Sequence, residues 1–282
     1  MNINFIKYNE LIDDSKILSQ KIPRNYDVIV AIPRSGLIPA SIIGFQHNIP
    51  VITVNEFINN IINGHGNRLK RNFKGIINKI LLVDDTTSTG NAMNEAVNKI
   101  KPVCSKNNIE FETCTIYSLH SSKNINFTHK IINNPRLFEW NIFNSGHLLT
   151  ACVDIDGVLC EDPNFIESGD NFRPHVINAK PKYLLGRPTL ALITNRLEKY
   201  REETKIWLKK HNIEYKHLIM SNFKTPEERR INASKFGYGH MKAQKMKELG
   251  GQWFIESSIQ QAKQIKNITN VSVLCTDNMI ML

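Results

Sequence analysis

An apolar run, Leu81-Leu82-Val83, ends in two adjacent carboxylates, Asp84 and Asp85, and then in the small hydroxyl-rich turn Thr86-Thr87-Ser88-Thr89-Gly90. A run of this kind reads as a buried strand, and a helix-compatible segment, Asn91 to Lys101, follows it. Backbone N–H groups of such a turn and of the helix N-terminus wrap a phosphate, while paired carboxylates accept hydrogen bonds from vicinal hydroxyls. The stretch therefore suits a phosphorylated sugar. Asp-Asp alone would be an ordinary acidic loop; the hydroxyl-rich run closed by glycine at a strand end sets it apart.

A second loop precedes this one. Asp27 to Ile32 reads as a buried strand, Pro33-Arg34-Ser35-Gly36 as a tight turn, and Leu37 to Ala40 as a helix start. Arg34 offers forked donors to phosphate oxygens. Between the loops, the segment 55–78 carries glycines around a basic cluster, Gly64-His65-Gly66-Asn67-Arg68-Leu69-Lys70-Arg71. It reads equally as a hood closing over a polyanion or as a solvated charged loop, with Arg68 and Lys70 the candidate contacts.

The 84–90 stretch resembles the phosphoribosyl-pyrophosphate (PRPP) motif of type I phosphoribosyltransferases. The resemblance implies that Asp84 and Asp85 hold the ribose hydroxyls, that Thr86, Thr87, Ser88, Thr89 and Gly90 cradle the 5-phosphate, and that Arg34, Ser35 and Gly36 seat the diphosphate. It also implies a flexible loop where Arg68 and Lys70 lie.

The second half carries different chemistry. Leu148 to Val153 reads as a strand running into Asp154-Ile155-Asp156-Gly157-Val158-Leu159. Carboxylates two apart on an extended segment point to one side. Asp154 can then attack phosphorus while Asp156 handles the leaving-group proton, with Mg²⁺ neutralising the phosphoryl oxygens. A calcium loop would need further oxygen ligands at alternating positions, and Val158 and Leu159 stand there instead. The segment resembles the first motif of the haloacid dehalogenase (HAD) superfamily, whose phosphatases form an aspartyl-phosphate. The resemblance implies three further pieces: Thr194 at the end of the strand Leu190–Asn195; Lys242, with Lys245 and Lys247 as rivals; and Glu256, closing the strand from Trp253. Asp154, Asp156 and Glu256 would hold Mg²⁺. Glu256 departs from the usual aspartate, which puts the metal geometry in doubt.

At 282 residues, the chain exceeds the usual single-core size and permits two domains of roughly 100–150 residues. The expected architecture is α/β: two doubly wound parallel-sheet domains, a phosphoribosyltransferase-like one over 1–145 and a HAD-like Rossmannoid with a minimal cap over 146–282. Large aromatics usually serve burial, so Phe138 and Trp140 are expected to seal a core rather than line an acceptor pocket. Cys104, Cys114, Cys152, Cys160 and Cys275 are odd in number and scattered, which reads as free thiols in a reducing compartment. A net charge of +10 suits anionic substrates, and no basic stripe argues for nucleic acid. With no long apolar run or leader-like segment, a cytoplasmic protein is expected, peripheral at the inner membrane face if its acceptor is membrane-linked.

The whole chain is similar to two-domain bacterial ribofuranosyltransferases of surface-polysaccharide assembly. That similarity implies transfer of phosphoribose from PRPP to a glycan hydroxyl, then loss of the 5-phosphate. Three competitors use the same residues. They are a nucleobase phosphoribosyltransferase coupled to a 5′-nucleotidase, a PRPP-sensing regulator that binds nucleic acid, and a phosphatase with a vestigial first domain.

Overall fold

The computed structural model describes residues 2–62, 69, 75–119, 125–168 and 171–282. The chain divides into two compact units, one of Ile6–Trp140 and one of Asn141–Leu282 together with Met1–Phe5. The terminal strand β1 (Asn4–Ile6) straddles that division, and the Ile3 amide donates to Ser272 Oγ at 3.1 Å within the second unit.

The first unit is built on strands β2 (Val28–Ala31), β3 (Val51–Thr53), β4 (Lys79–Thr86), β5 (Glu110–Ser118) and β6 (Phe127–Ile131). All pair in parallel, in the order β3-β2-β4-β5-β6. A parallel sheet is covered on both faces, which explains why β2 and the Ile80–Val83 stretch of β4 are apolar at every position rather than at alternate ones. Successive side chains then pack into different cores. Ile29, Ala31, Leu81 and Val83 belong to one cluster with Leu11, Leu18, Ala40 and Ile43 of helices Tyr8–Lys21 and Leu37–His47. Val28, Val30, Ile80 and Leu82 join Met93, Ala96 and Ile100 of helix Asn91–Asn107 on the other side. A short strand, β7 (Arg136–Phe138), finishes the unit.

The second unit contains β8 (Ala151–Val153), β9 (Thr189–Leu197), β10 (Tyr215–Ser221), β11 (Trp253–Glu256), β12 (Ser272–Cys275) and β13 (Ile280–Met281). Their order is β10-β9-β8-β11-β12-β13, parallel except for the last. Helices Gly239–Leu249 and Ile259–Thr269 cover one face through Ala243, Met246, Ala262 and Ile265. Leu148 and Leu149, expected to extend β8, instead belong to a 3₁₀ turn, Gly146–Thr150, capped by Ser145 Oγ on the His147 amide. The turn buries Leu148 and turns Leu149 out.

Parallel strands deliver their C-terminal ends, and the loops after them, to one edge of each sheet. The 33–36 and 84–90 loops share such an edge: the Ile32 amide donates to Val83 O at 2.8 Å. Gly36 completes the approach. A Cβ there would lie 2.9 Å from Val83 O and 3.0 Å from Asp84 Cα, and closer still to Ile32 O. Gly36→Ala is therefore expected to cost about 1–3 kcal/mol of stability through overpacking, measured by urea denaturation. An unchanged midpoint would mean that the loop moves aside freely.

Candidate active sites

In the first unit, both carboxylates at the end of β4 are buried, and they are treated differently. Asp84 Oδ1 accepts the Asp85 amide at 2.9 Å. Asp85 is held by side chains: Ser35 Oγ donates to Oδ1 at 2.9 Å and Trp140 Nε1 to Oδ2 at 2.7 Å. Burial, reinforced by the neighbouring Asp85 charge, pushes Asp84 up to about 8. Thr87 sits between the Tyr117 carbonyl, which accepts its amide at 2.9 Å, and Arg136 Nη2, which donates to its carbonyl at 2.7 Å. Gly90 adopts φ +80°, a left-handed conformation that glycine enters without steric cost, and opens the helix Asn91–Asn107. Ser88 and Thr89 are exposed, and Thr86 Oγ1 is buried without a hydrogen-bond partner. Arg34 is exposed at the mouth of the 33–36 turn. A hydroxyl-rich turn leading into a helix N-terminus with free amides suits an anion. Arg68 and Lys70 lie outside the described residues.

The structure thus gathers Ser35, Gly36, Asp84 and Asp85 around one strand end, with Thr86 to Gly90 continuing from it. Trp140 and Phe138 do pack on the core, as expected of large aromatics. The polar role of Trp140 was not read from the sequence; its indole N–H, a donor that seeks a partner when buried, was the available signal.

The second unit brings Asp154, Lys242 and Glu256 together. Lys242 Nζ lies 2.6 Å from Asp154 Oδ2 and 2.7 Å from Glu256 Oε2, and all three side chains are buried. The rivals lie elsewhere: Lys245 pairs with Glu248 on the helix surface, and Lys247 is exposed. Backbone amides complete the shell, with Ile155 N–H donating to Asp154 Oδ1 and the Ser257 and Ser258 amides to Glu256 Oε1. Burial drives Asp154 well above the usual carboxylate range against the pull of Lys242, and the Glu256 charge adds to the rise. Burial alone would lower Lys242, but its two carboxylates hold it above the ordinary lysine value.

Asp156 is placed apart from that triad. Arg196 forks onto its carboxylate, with Nε 2.9 Å from Oδ2 and Nη2 2.7 Å from Oδ1. Cys160 Sγ lies 3.5 Å and His175 Nε2 3.7 Å from Oδ1. Burial works against ionisation here, but the Arg196 charge and fork, together with His175, outweigh it and hold Asp156 well below the usual range. Where three carboxylates were expected to share one site, Arg196 draws the Asp156 carboxylate aside and Lys242 bridges Asp154 and Glu256. The Asp156 backbone carbonyl, 3.5 Å from Ser257 Oγ, remains near them. Arg196 escaped the sequence reading, although it stands two residues beyond Thr194 on the same strand and so shares its face. Thr194 is buried and accepts the Arg196 amide at 3.2 Å.

Asp154, Asp156, Thr194, Arg196 and Lys242 line a cavity of about 400 Å³ whose wall also carries Asp162, Glu167, Arg229, Arg230 and Tyr238. Gly157 shapes its floor at φ +77°, where a Cβ would meet Asp162 and Ser257. Each acid of the triad keeps an oxygen bonded only by backbone or hydroxyl donors. This donor set fits a hard divalent cation such as Mg²⁺.

Two outcomes are expected. Because the folded state keeps the Asp84 proton between the ordinary value of 3.8 and about 8, it binds more protons than the unfolded chain, and that contribution to stability is lost as pH rises through the window. Asp84→Asn should flatten this fall in denaturation curves taken at pH 5, 6.5 and 8; an identical slope would contradict the assignment. Lys242→Met leaves two buried carboxylates facing each other and should lose about 3–5 kcal/mol at pH 7. Equal urea midpoints for variant and parent would overturn the buried-triad argument.

No protein-family model matches the chain. In sequence, 96 residues (33% of the chain) are 32% identical to an orotate phosphoribosyltransferase of Staphylothermus marinus, and the match spans 43% of that relative, under half its length. Similar solved structures include a purine phosphoribosyltransferase from Pyrococcus horikoshii, at 18% identity and TM-score 0.37, covering 50% of this chain and 94% of that one. The Helicobacter pylori xanthine-guanine-hypoxanthine phosphoribosyltransferase gives 18% identity and TM-score 0.38, covering 50% and 93%. An orotate phosphoribosyltransferase from Aeropyrum pernix gives 10% and 0.31, covering 44% and 71%. The chain is α/β with parallel sheets, and about a third of it is similar in sequence to an orotate phosphoribosyltransferase.

Proposed function

We propose that the chain transfers a 5-phosphoribosyl group from PRPP to an acceptor hydroxyl and then removes the 5-phosphate, leaving a ribofuranosyl unit on a glycan of a surface polysaccharide. One observation carries this reading: a single chain holds two buried acidic strand ends of different construction, Asp84/Asp85 beside a hydroxyl-rich turn and Asp154/Lys242/Glu256 beside a cavity lined with arginines.

At the first site, Asp84 and Asp85 accept the ribose hydroxyls and the 86–90 turn takes the 5-phosphate. The 33–36 turn, with Arg34, takes the diphosphate. As the C1–diphosphate bond breaks, positive charge develops on the ribose ring, and catalysis rests on stabilising the departing pyrophosphate and positioning the acceptor oxygen. Arg68 and Lys70 are proposed to close over the anion.

At the second site, the support is the strand order and the placement of acids at the ends of β8 and β11, a HAD-like arrangement. The Asp154 carboxylate attacks phosphorus, forming an acyl phosphate as the bond to the ribosyl O5 breaks, and water then hydrolyses it. Thr194 and Lys242 contact the phosphoryl oxygens. Asp154, Glu256 and the Asp156 carbonyl would hold Mg²⁺, which when bound neutralises phosphoryl charge. Asp156 serves the leaving-group proton once the Arg196 fork releases it; as placed, it is a weak proton donor.

Removing the 5-phosphate would destroy a nucleotide meant for nucleic-acid synthesis, whereas for a ribosylated glycan it completes the product. The second reading, a nucleobase phosphoribosyltransferase coupled to a 5′-nucleotidase, is favoured by the match to an orotate phosphoribosyltransferase. The two separate in one assay: PRPP with a panel of glycans and nucleobases, analysed by mass spectrometry. Asp85→Asn should stop PRPP consumption, and Asp154→Asn should accumulate the phosphoribosylated product. Turnover of orotate or a purine ahead of every glycan would reject the glycan acceptor, and phosphate release by Asp154→Asn would reject the nucleophile.

A further inference from the structure

Strand β7 and the two residues after it present Arg136, Phe138 and Trp140 at alternate positions, the period that puts side chains on one face of extended chain. They stack in sequence: the Arg136 guanidinium lies 5.5 Å from the Phe138 ring centre, and the Phe138 and Trp140 rings are 4.9 Å apart. The stack is buttressed by Tyr117, 5.9 Å from Phe138, and by Tyr8, 5.7 Å from Trp140. Its two ends bond to the last residues of β4 and the loop that follows it. Trp140 Nε1 holds the Asp85 carboxylate at 2.7 Å, and Arg136 Nη2 holds the Thr87 carbonyl at 2.7 Å.

Each bond has a geometric consequence. Ser35 Oγ takes the other oxygen of Asp85, so the carboxylate is fixed from two sides and cannot rotate without breaking one bond. The planar peptide points its C=O and N–H in opposite directions. Drawing the Thr87 carbonyl toward Arg136 therefore aims the Ser88 N–H away from it. Arg136 is itself buried and anchored by the Ile132 carbonyl at 3.4 Å, so its guanidinium is a fixed donor rather than a solvated one.

We propose that Arg136 and Trp140 are positioning residues for the ribosyl-phosphate loop, Trp140 setting the orientation of the carboxylate that receives the ribose hydroxyls and Arg136 setting the direction of a phosphate-binding amide. The inference rests on the PRPP reading of this site and adds to it a strand outside the 33–36 and 84–90 segments. Apolar packing alone would need neither the indole N–H nor the guanidinium fork.

The test uses the full-length chain with Mg²⁺. PRPP affinity is measured by calorimetry, and KM and kcat for PRPP by pyrophosphate release, in the parent, Trp140→Phe and Arg136→Lys. Phosphate release from a phosphorylated sugar, circular dichroism and melting temperature are recorded on the same preparations. Trp140→Phe keeps an aromatic ring and loses only the donor; Arg136→Lys keeps the charge and loses the fork. Each should weaken PRPP binding roughly tenfold, as expected for a lost hydrogen bond at or beside a charged group, while phosphate release and secondary structure hold. Parent-like PRPP affinity in both variants overturns the inference and leaves the PRPP reading standing. Loss of PRPP binding only together with loss of structure in both variants also overturns it, since packing would then be the whole role. A parent chain that binds no PRPP overturns the reading and this inference with it.

Discussion

Like charges forced together at a dry strand end must be neutralised, bonded or protonated, and each unit meets this demand differently. Asp84 and Asp85 are adjacent and buried with no lysine or arginine in ion-pair contact among the described residues. One answers by holding a proton far above the usual range, the other by accepting from Ser35 and Trp140. Asp154 and Glu256 instead share the ammonium of Lys242. A proton is easily exchanged for an incoming hydroxyl or cation, whereas a tethered ammonium stays. The first arrangement suits a site that must adapt to a polyol; the second suits one that receives a dense anionic group again and again.

Much of this was legible in the residues. The unbroken apolar runs of β2 and β4 required a sheet covered on both faces, and the polar turns directly after them had to sit at its C-terminal edge. The Asp154–Gly157 segment and Glu256 were readable for the same reason. Lys242 was separable from Lys245 and Lys247 only by helix phase. At that position it falls beside Ala243 and Met246 on the buried side of its helix, while its rivals face out. Leu148 and Leu149 misled because an apolar pair carries no mark of strand or 3₁₀ turn, and a serine cap decided it.

What stayed hidden are contacts between residues far apart in sequence whose types have common structural uses. Arg196 forks onto Asp156 and Arg136 donates one bond to the Thr87 carbonyl, partners 40 and 49 residues away, and no local pattern announces either. The Arg196 pair also alters the chemistry read from spacing alone. Two acids at i and i+2 were read as pointing to one side, yet one is drawn into a triad with lysine and the other into a fork with arginine, so their proton affinities move in opposite directions.

The second unit recruits residues from both extremities, with Ile3 bonded to Ser272 across nearly the full length of the sequence. A ribosome releases those two partners far apart in time. The Ile3 amide therefore meets Ser272 only once the whole intervening unit has been synthesised. Severing the polypeptide between Trp140 and Asn141 would leave Ser272 in one half without the amide that donates to it and residues 2–5 in the other, away from the unit they belong to.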